Sequence, residues 1–336
     1  MMNKTILAIE TSCDETAIAI IRNNEILANV VSSQIKDHQY NGGVVPELAS
    51  RLHLANIDVV FCEALSKANL TIKDIDGIAI VNGPGLIGAL HVGVVFAKGL
   101  SYVNDIPLLP VHHLAGHIYA NNLIDELEFP LLALVVSGGH TELVLMKEHL
   151  SFEVLGQTRD DAIGECYDKV ARILDLGYPG GPIIDNLAKQ GKNIYNFPIP
   201  LLDDSYNFSY SGLKSAVINK VNQLKMKKEI YENADIATSF QYSAIEPLII
   251  KSLKAIKEYN IKHFVLAGGV AANSYLRQKV SEMVEINQLA IKYTLPPLWC
   301  CTDNAAMIAA LATFYQEADF QLSYDFSVEP NKKLAR

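Results

Sequence analysis

Short apolar runs alternate with polar turns along this chain, and their spacing sets the elements it predicts. Ile6-Leu7-Ala8-Ile9 stops at Glu10-Thr11-Ser12-Cys13-Asp14-Glu15-Thr16, and apolar character resumes at Ala17-Ile18-Ala19-Ile20-Ile21. Asn23-Asn24 then turns the chain into Glu25-Ile26-Leu27-Ala28. Such runs, bounded by Thr, Ser, Asp and Asn, predict successive antiparallel strands. The plan returns more than a hundred residues later: the apolar 131–136, the small turn Ser137-Gly138-Gly139-His140, then Thr141-Glu142-Leu143-Val144-Leu145. A repeat at that interval points to duplicated domains rather than a solenoid.

Between and after these strands the pattern lengthens into helices. Residues 44–65 predict one, entered past Pro46, and 89–102, 159–174 and 234–259 predict three more. A further helix is introduced by 208–214, and the last opens at Thr302-Asp303-Asn304, natural capping residues, and runs to about 315. Ile78-Ala79-Ile80-Val81 and Phe264-Val265-Leu266-Ala267 predict buried strands that each run into glycines. The first leads to Asn82-Gly83-Pro84-Gly85-Leu86-Ile87-Gly88, the second to Gly268-Gly269-Val270-Ala271-Ala272-Asn273. A strand–glycine–helix junction places backbone amides where an anion can bind, or it is a tight turn that needs small residues for close packing. For the first junction both readings stand.

The expected fold class is therefore α/β, two-lobed, with duplicated domains and a cleft between them. The division is expected at 1–128 and 129–336, with a helical insertion at about 150–230 and the last helix packing back on the first lobe. Half of the 336 residues are apolar and 19% are charged, as in a globular enzyme. No apolar run reaches the roughly 18–20 residues that span a bilayer, and the run after Met1-Met2-Asn3-Lys4 is too short for a signal peptide. Five cysteines, an odd number with no CxxC pair, predict reduced thiols and a cytoplasmic location rather than a disulfide frame or structural zinc. The net charge of −9 gives no global attraction for nucleic acid, so RNA contacts would need a local patch or partners. The one basic cluster, Lys220, Lys225, Lys227 and Lys228, reads first as a solvated helix face.

Chemistry concentrates in Val111-His112-His113-Leu114-Ala115-Gly116-His117, where three of nine histidines fall within six residues. On a helix, His113 and His117 at i,i+4 share one face and can hold a metal together, with a carboxylate supplied from elsewhere. The alternative is a helix start with a core or capping histidine. Ser137 to His140 offers a hydroxyl, amides and an imidazole at one turn, and Asp14 offers a carboxylate at the equivalent turn of the other lobe. Together these predict a nucleotide cleft with a metal nearby.

The ordered motifs resemble one family closely. They are Glu10 to Thr16, Gly42-Gly43-Val44-Val45-Pro46-Glu47-Leu48-Ala49-Ser50-Arg51, Gly83-Pro84-Gly85-Leu86 and His112 to His117. After these come Val136 to His140, Tyr178-Pro179-Gly180-Gly181-Pro182, 208–214, Gly268-Gly269-Val270 and Cys301-Thr302-Asp303-Asn304. They fall, over nearly the whole chain, in the order of the TsaD family (also called Gcp or YgjD), which has the actin/Hsp70/sugar-kinase-like (ASKHA) fold. The resemblance implies transfer of a threonylcarbamoyl group from threonylcarbamoyl-AMP to N6 of the adenosine at position 37, beside the anticodon, of tRNAs reading codons that begin with A. It implies a metal held by His113, His117 and Asp303, with iron(II) usual in bacterial members and zinc the alternative. Val136, Ser137, Gly138, Gly139 and His140 would hold the phosphate and acyl part of the donor. Asp168, Gly181 and Asp185 would bind the nucleoside, with Asn273 beside its base or phosphate. Asp14 would orient or deprotonate the attacking amine, its alternative being a structural turn carboxylate. A bacterial member is expected to pair with a shorter paralogue (TsaB) and a small ATPase (TsaE), and to have no membrane partner.

One departure from the family pattern is Ala115, where members commonly carry Glu. The histidine pair also invites a metallopeptidase reading, but a zincin needs Glu directly after the first histidine, and here that residue is Leu114. An actin-like or Hsp70-like ATP-binding module is the other rival. Against it, kinase-type relatives hold magnesium through carboxylates and phosphates rather than imidazoles.

Overall fold

The computed structural model describes residues 4–334. The chain forms two compact units, one of Met1–Glu126 with Thr302–Arg336 and one of Leu127–Cys301. The sequence placed the division at 128/129 with the last helix packing back on the first lobe; by contact, the chain from Thr302 groups with the first unit.

In the first unit, β1 (Thr5–Glu10), β2 (Glu15–Arg22), β3 (Glu25–Ser33), β4 (Gly77–Gly83) and β5 (Leu108–His112) form a sheet of order β3-β2-β1-β4-β5. β2 pairs antiparallel with both neighbours, whereas β1–β4 and β4–β5 are parallel. The central β1 is buried at every residue. Leu7 and Ile9 enter a core with Ile18, Ile20, Ile78 and Ile80, closed by Ile57 and Val94 from the helices Pro46–Ala68 and Ile87–Asn104. Ile6 and Ala8 alternate to the opposite face, and the helix Ala305–Ala312, buried all round, packs against β1 and β2. Cover on both faces explains why these strands read as continuous apolar runs rather than as alternation. Asn23 and Asn24 both take left-handed φ, 52° and 63°, which suits a tight hairpin between β2 and β3.

The second unit repeats this plan strand for strand. Its strands are β6 (Leu131–Val136), β7 (Thr141–Met146), β8 (Glu153–Gln157), β9 (His263–Ala267) and β10 (Lys292–Thr294), in the order β10-β9-β6-β7-β8. β6–β7 and β7–β8 are antiparallel, β6–β9 and β9–β10 parallel. Leu132, Leu134, Val136, Leu143 and Leu145 pack on one face with the helices Ile163–Ile173, Ser211–Lys227 and Asn233–Glu258. β8 belongs to the sheet, so the helical stretch expected from about 150 begins after it. Residues 159–162 are a turn rather than helix. Asp160 accepts from the Tyr210 and Ser211 amides at 2.7 and 3.2 Å, holding the start of the next helix.

Two motifs take the plainer of their readings, one as packing and one as a largely solvated helix face. At the first glycine junction the Gly85 amide donates to the Pro330 carbonyl (3.1 Å) and the Leu86 amide to the Ser12 carbonyl (2.8 Å). A Cβ on Gly83 would strike the Glu329 carbonyl, so small residues there admit the C-terminal segment. In the lysine cluster, Lys220 lies over the Tyr195 ring at 5.3 Å, and Lys225, Lys227 and Lys228 are exposed. All five cysteines are free. Among the described residues, no helix is long and apolar enough to cross a membrane.

Candidate functional site

β5 ends at His112, and the next seven residues, His113–Tyr119, form a helix buried throughout. His112 caps it. Its Nδ1 accepts from the Leu114 amide at 3.1 Å, and its Nε2–H donates to the Lys332 carbonyl at 3.2 Å. The first histidine of the run thus stabilises the helix start, with both its ring nitrogens engaged. His113 and His117 lie one turn apart with ring centroids 4.7 Å apart and planes at 83°. Between them, Gly116 has a structural purpose, since a Cβ there would stand 2.5 Å from Ile308 Cδ1. Its absence lets Ala305–Ala312 approach closely.

That approach delivers Asp303. Its Oδ1 is 3.0 Å from His117 Nε2 and 3.7 Å from His113 Nε2. The sequence made Asp303 part of the cap, but the N-cap is Asn304, whose side chain accepts from the Met307 amide at 3.1 Å. Because Asn304 takes the capping geometry, the carboxylate one residue earlier is turned to the histidines instead. The three donor atoms lie within 4.8 Å of one another. Two imidazoles and a carboxylate suit a first-row divalent ion such as iron(II) or zinc.

The support of this trio was invisible to spacing. Glu10, fully buried at the end of β1, places Oε2 2.8 Å from His113 Nδ1, while Oε1 accepts from the Ser12 amide. Ser12 Oγ is 3.0 Å from the same ring nitrogen. Burial pulls the His113 pKa down, but the Glu10 and Asp303 charges outweigh it and raise it to about 9. His117 differs: its Nδ1 is buried with no hydrogen-bond partner among the described residues. With Nδ1 of His113 given to Glu10, both histidines have Nε2 toward Asp303, and the donor set fits a metal.

Asp14 follows Ser12 in the β1–β2 turn and is 8% exposed. His53 braces this turn, its Nδ1 2.8 Å from Thr16 Oγ1 and its Nε2–H donating to the Cys13 carbonyl at 2.9 Å. Burial, then the charges of Asp14 and Asp303, push the Cys13 thiol and the Glu15 carboxyl well up. Asp14 and the trio therefore share one electrostatic neighbourhood. A charged residue closing an otherwise apolar strand, as Glu10 does, was the sequence signal that could have revealed the support.

The other expected residues lie in the second unit. The β6–β7 turn closes on itself, Ser137 N donating to His140 O (2.8 Å) and His140 N to Ser137 Oγ (3.0 Å). Val136 is a core residue, so only its backbone can serve a ligand. A Cβ would meet nothing at Gly138, Gly139, Gly181 or Gly269. At Gly164, Gly180 and Gly268 it would meet atoms of Ser137, Ala171 and Val136 at 2.5–2.6 Å. The first four glycines leave space along the backbone, and the last three serve packing. Asp168 Oδ1 accepts from the Gly180 amide at 2.7 Å, which sets the start of the helix Gly180–Ala188. Asp185 accepts from Ser274 N and Oγ at 3.1 and 2.9 Å. Asn273 donates to Gln241 at 2.8 Å and caps the helix Ser274–Ile286. The structure thus gathers Asp168, Gly181, Asp185 and Asn273 around neighbouring helix ends. Gln241 and Ser274, absent from the sequence reading, complete the network.

Comparison with known proteins agrees with this geometry. The TsaD family model, described as tRNA N6-adenosine threonylcarbamoyltransferase, matches residues 25–310. An enzyme of that name from Staphylococcus haemolyticus (strain JCSC1435) is 53% identical over 99% of this chain and 98% of its own. One from Bacillus cereus (strain ATCC 14579) is 55% identical over 98% and 96%. Among solved structures, T.kodakarensis HypF aligns with TM-score 0.64 at 14% identity, over 96% of this chain and 49% of that one. Component A of the Acidaminococcus fermentans (R)-2-hydroxyglutaryl-CoA dehydratase aligns with TM-score 0.55 at 16% identity, over 92% and 97%. At those identities the likeness speaks for the fold alone, and it bears out the ASKHA-like architecture. With the family model spanning most of its length and relatives matching it nearly end to end, the chain belongs to the TsaD family of tRNA N6-adenosine threonylcarbamoyltransferases.

Proposed function

We propose that this protein transfers the threonylcarbamoyl group from L-threonylcarbamoyladenylate to N6 of adenosine 37 in tRNAs reading codons that begin with A, releasing AMP. The observation that carries this reading is the trio of buried His113 and His117 with half-buried Asp303 in a chain of this family. These three residues would hold one divalent metal, iron(II) by preference and zinc as the alternative. Bound there, the metal would act as a Lewis acid on the acyl carbonyl or neutralise charge on the phosphate.

The remaining work is positioning. A mixed carbamic–phosphoric anhydride is already activated, so catalysis needs orientation and charge neutralisation more than a protein nucleophile. The Ser137 to His140 turn would take the phosphate and acyl part, with the exposed backbone of Gly138 and Gly139 close to the ligand. Asp168, Gly181 and Asp185 would bind the nucleoside, and Asn273 would lie beside its base or phosphate. An exocyclic adenine amine is a poor nucleophile, and Asp14 would orient it and accept its proton. The cytoplasm, a TsaB-like paralogue, a TsaE-like ATPase and a separate enzyme that makes the adenylate complete the setting.

The test is to deplete the protein from its host and measure threonylcarbamoyl-adenosine in bulk tRNA by nucleoside mass spectrometry. The expected result is loss of the nucleoside, restored by the native chain and not by Asp303→Ala. An unchanged level after depletion would overturn the assignment.

A further inference from the structure

We infer that Glu10 is the positioning residue of the metal trio, fixing which ring nitrogen His113 offers. A histidine ligates through an unprotonated nitrogen, and the hydrogen bond made by the other nitrogen selects it. An ionised carboxylate only accepts, so the 2.8 Å contact between His113 Nδ1 and Glu10 Oε2 makes Nδ1 the donor. His113 Nε2 is then the nitrogen left to face Asp303, at 3.7 Å. Glu10 cannot swing away easily, because Oε1 holds the Ser12 amide. Ser12, 1% exposed, adds its Oγ at 3.0 Å from the same imidazole nitrogen.

Three features separate this arrangement from a casual contact. Glu10 is 0% exposed at the end of the central strand, and a buried carboxylate persists only where charge and hydrogen bonds compensate it. Glu10 and Asp303 approach opposite nitrogens of one ring, so the His113 imidazole itself lies between two carboxylates. His117 has nothing comparable, since its Nδ1 lacks a partner among the described residues. The trio is therefore anchored through one histidine, and Glu10 is the anchor.

The inference rests on the reading of the trio as a metal site, and the experiment separates the two. Zinc binding to the full-length chain would be measured by competition with a chelator for the native protein, Glu10→Gln, Ser12→Ala and Asp303→Ala. Glutamine cannot present an oxygen to both Ser12 and His113, so Glu10→Gln should bind zinc about 10–100-fold more weakly. Ser12→Ala should fall between Glu10→Gln and native. In parallel, the zinc-loaded native protein with nitrogen-15 histidine would be examined by NMR for the tautomer of His113, expected to carry its proton on Nδ1. This second readout needs no variant, and it stands even where Glu10→Gln fails to fold. Equal zinc affinity of native and a folded Glu10→Gln, with Asp303→Ala much weaker, would sink the role of Glu10 alone. So would zinc on Nδ1 of His113. Asp303→Ala binding zinc as tightly as native would remove the metal site and the inference with it.

Discussion

The first unit and the second are built on one sheet plan, yet their equivalent turns are finished in opposite ways. The β1–β2 turn is filled: Glu10, Ser12 and the Cys13 carbonyl are each tied to a buried histidine, and Asp14 is 8% exposed. The β6–β7 turn is open: Gly138 and Gly139 are exposed, and a side chain on either would meet nothing. One turn holds histidine side chains in place, and the other leaves its backbone accessible.

The largest effect expected is from breaking the filled side. Asp303→Ala removes a proposed ligand rather than its support, so metal content should fall beyond the ~10–100-fold cost of losing an outer partner. Metal analysis of the purified protein checks this, and metal retained at native level would end the contrast.

Next comes a test of which glycines in the second unit are structural. Gly268 has φ 89°, and a Cβ would sit 2.5 Å from the Val136 carbonyl oxygen. Gly268→Ala should cost about 2–4 kcal/mol from strain and overpacking, read as a fall of several degrees in melting temperature.

Gly139→Val probes the open turn from the other direction. With free space around it, the folded state should change by no more than about 0.5 kcal/mol, while KM for the adenylate donor rises about tenfold. A large drop in melting temperature with unchanged KM would mean that the turn is packed like its counterpart.

The smallest effect concerns Glu142, just beyond the open turn. Burial pushes its carboxyl up to about 7, and its Oε2 has no hydrogen-bond partner among the described residues. The native state then holds this proton more tightly than the unfolded chain does, so the group's contribution to stability falls as pH rises from about 4.5 to 7. Glu142→Gln should gain about 1 kcal/mol over native at pH 8 and little at pH 4.5, seen as melting curves that diverge with pH. Parallel curves would place the charge elsewhere.

Much of this architecture could be read from local pattern. Run length gave the strands on either side of both turns, since a sheet buried on both faces leaves continuous apolar runs. The repeat of strand, small turn and strand announced the duplication. An i,i+4 pair on a helix fixes the facing of His113 and His117 through backbone geometry alone. The motifs around them identified the family.

Other features belong to the tertiary structure, because they depend on contacts that no local periodicity encodes. Asp303 reads as a helix cap, and it meets His117, 186 positions away, only because Asn304 caps instead and Gly116 admits the following helix. Glu10 reads as the polar end of a strand, and only the fold brings it to His113 across 103 positions. The four open glycines and the three packed ones look alike as letters; what separates them is whether other backbone or side-chain atoms occupy the space beside each Cα. Sequence set the elements and the chemistry available, and packing across the chain decided which side chains became a site.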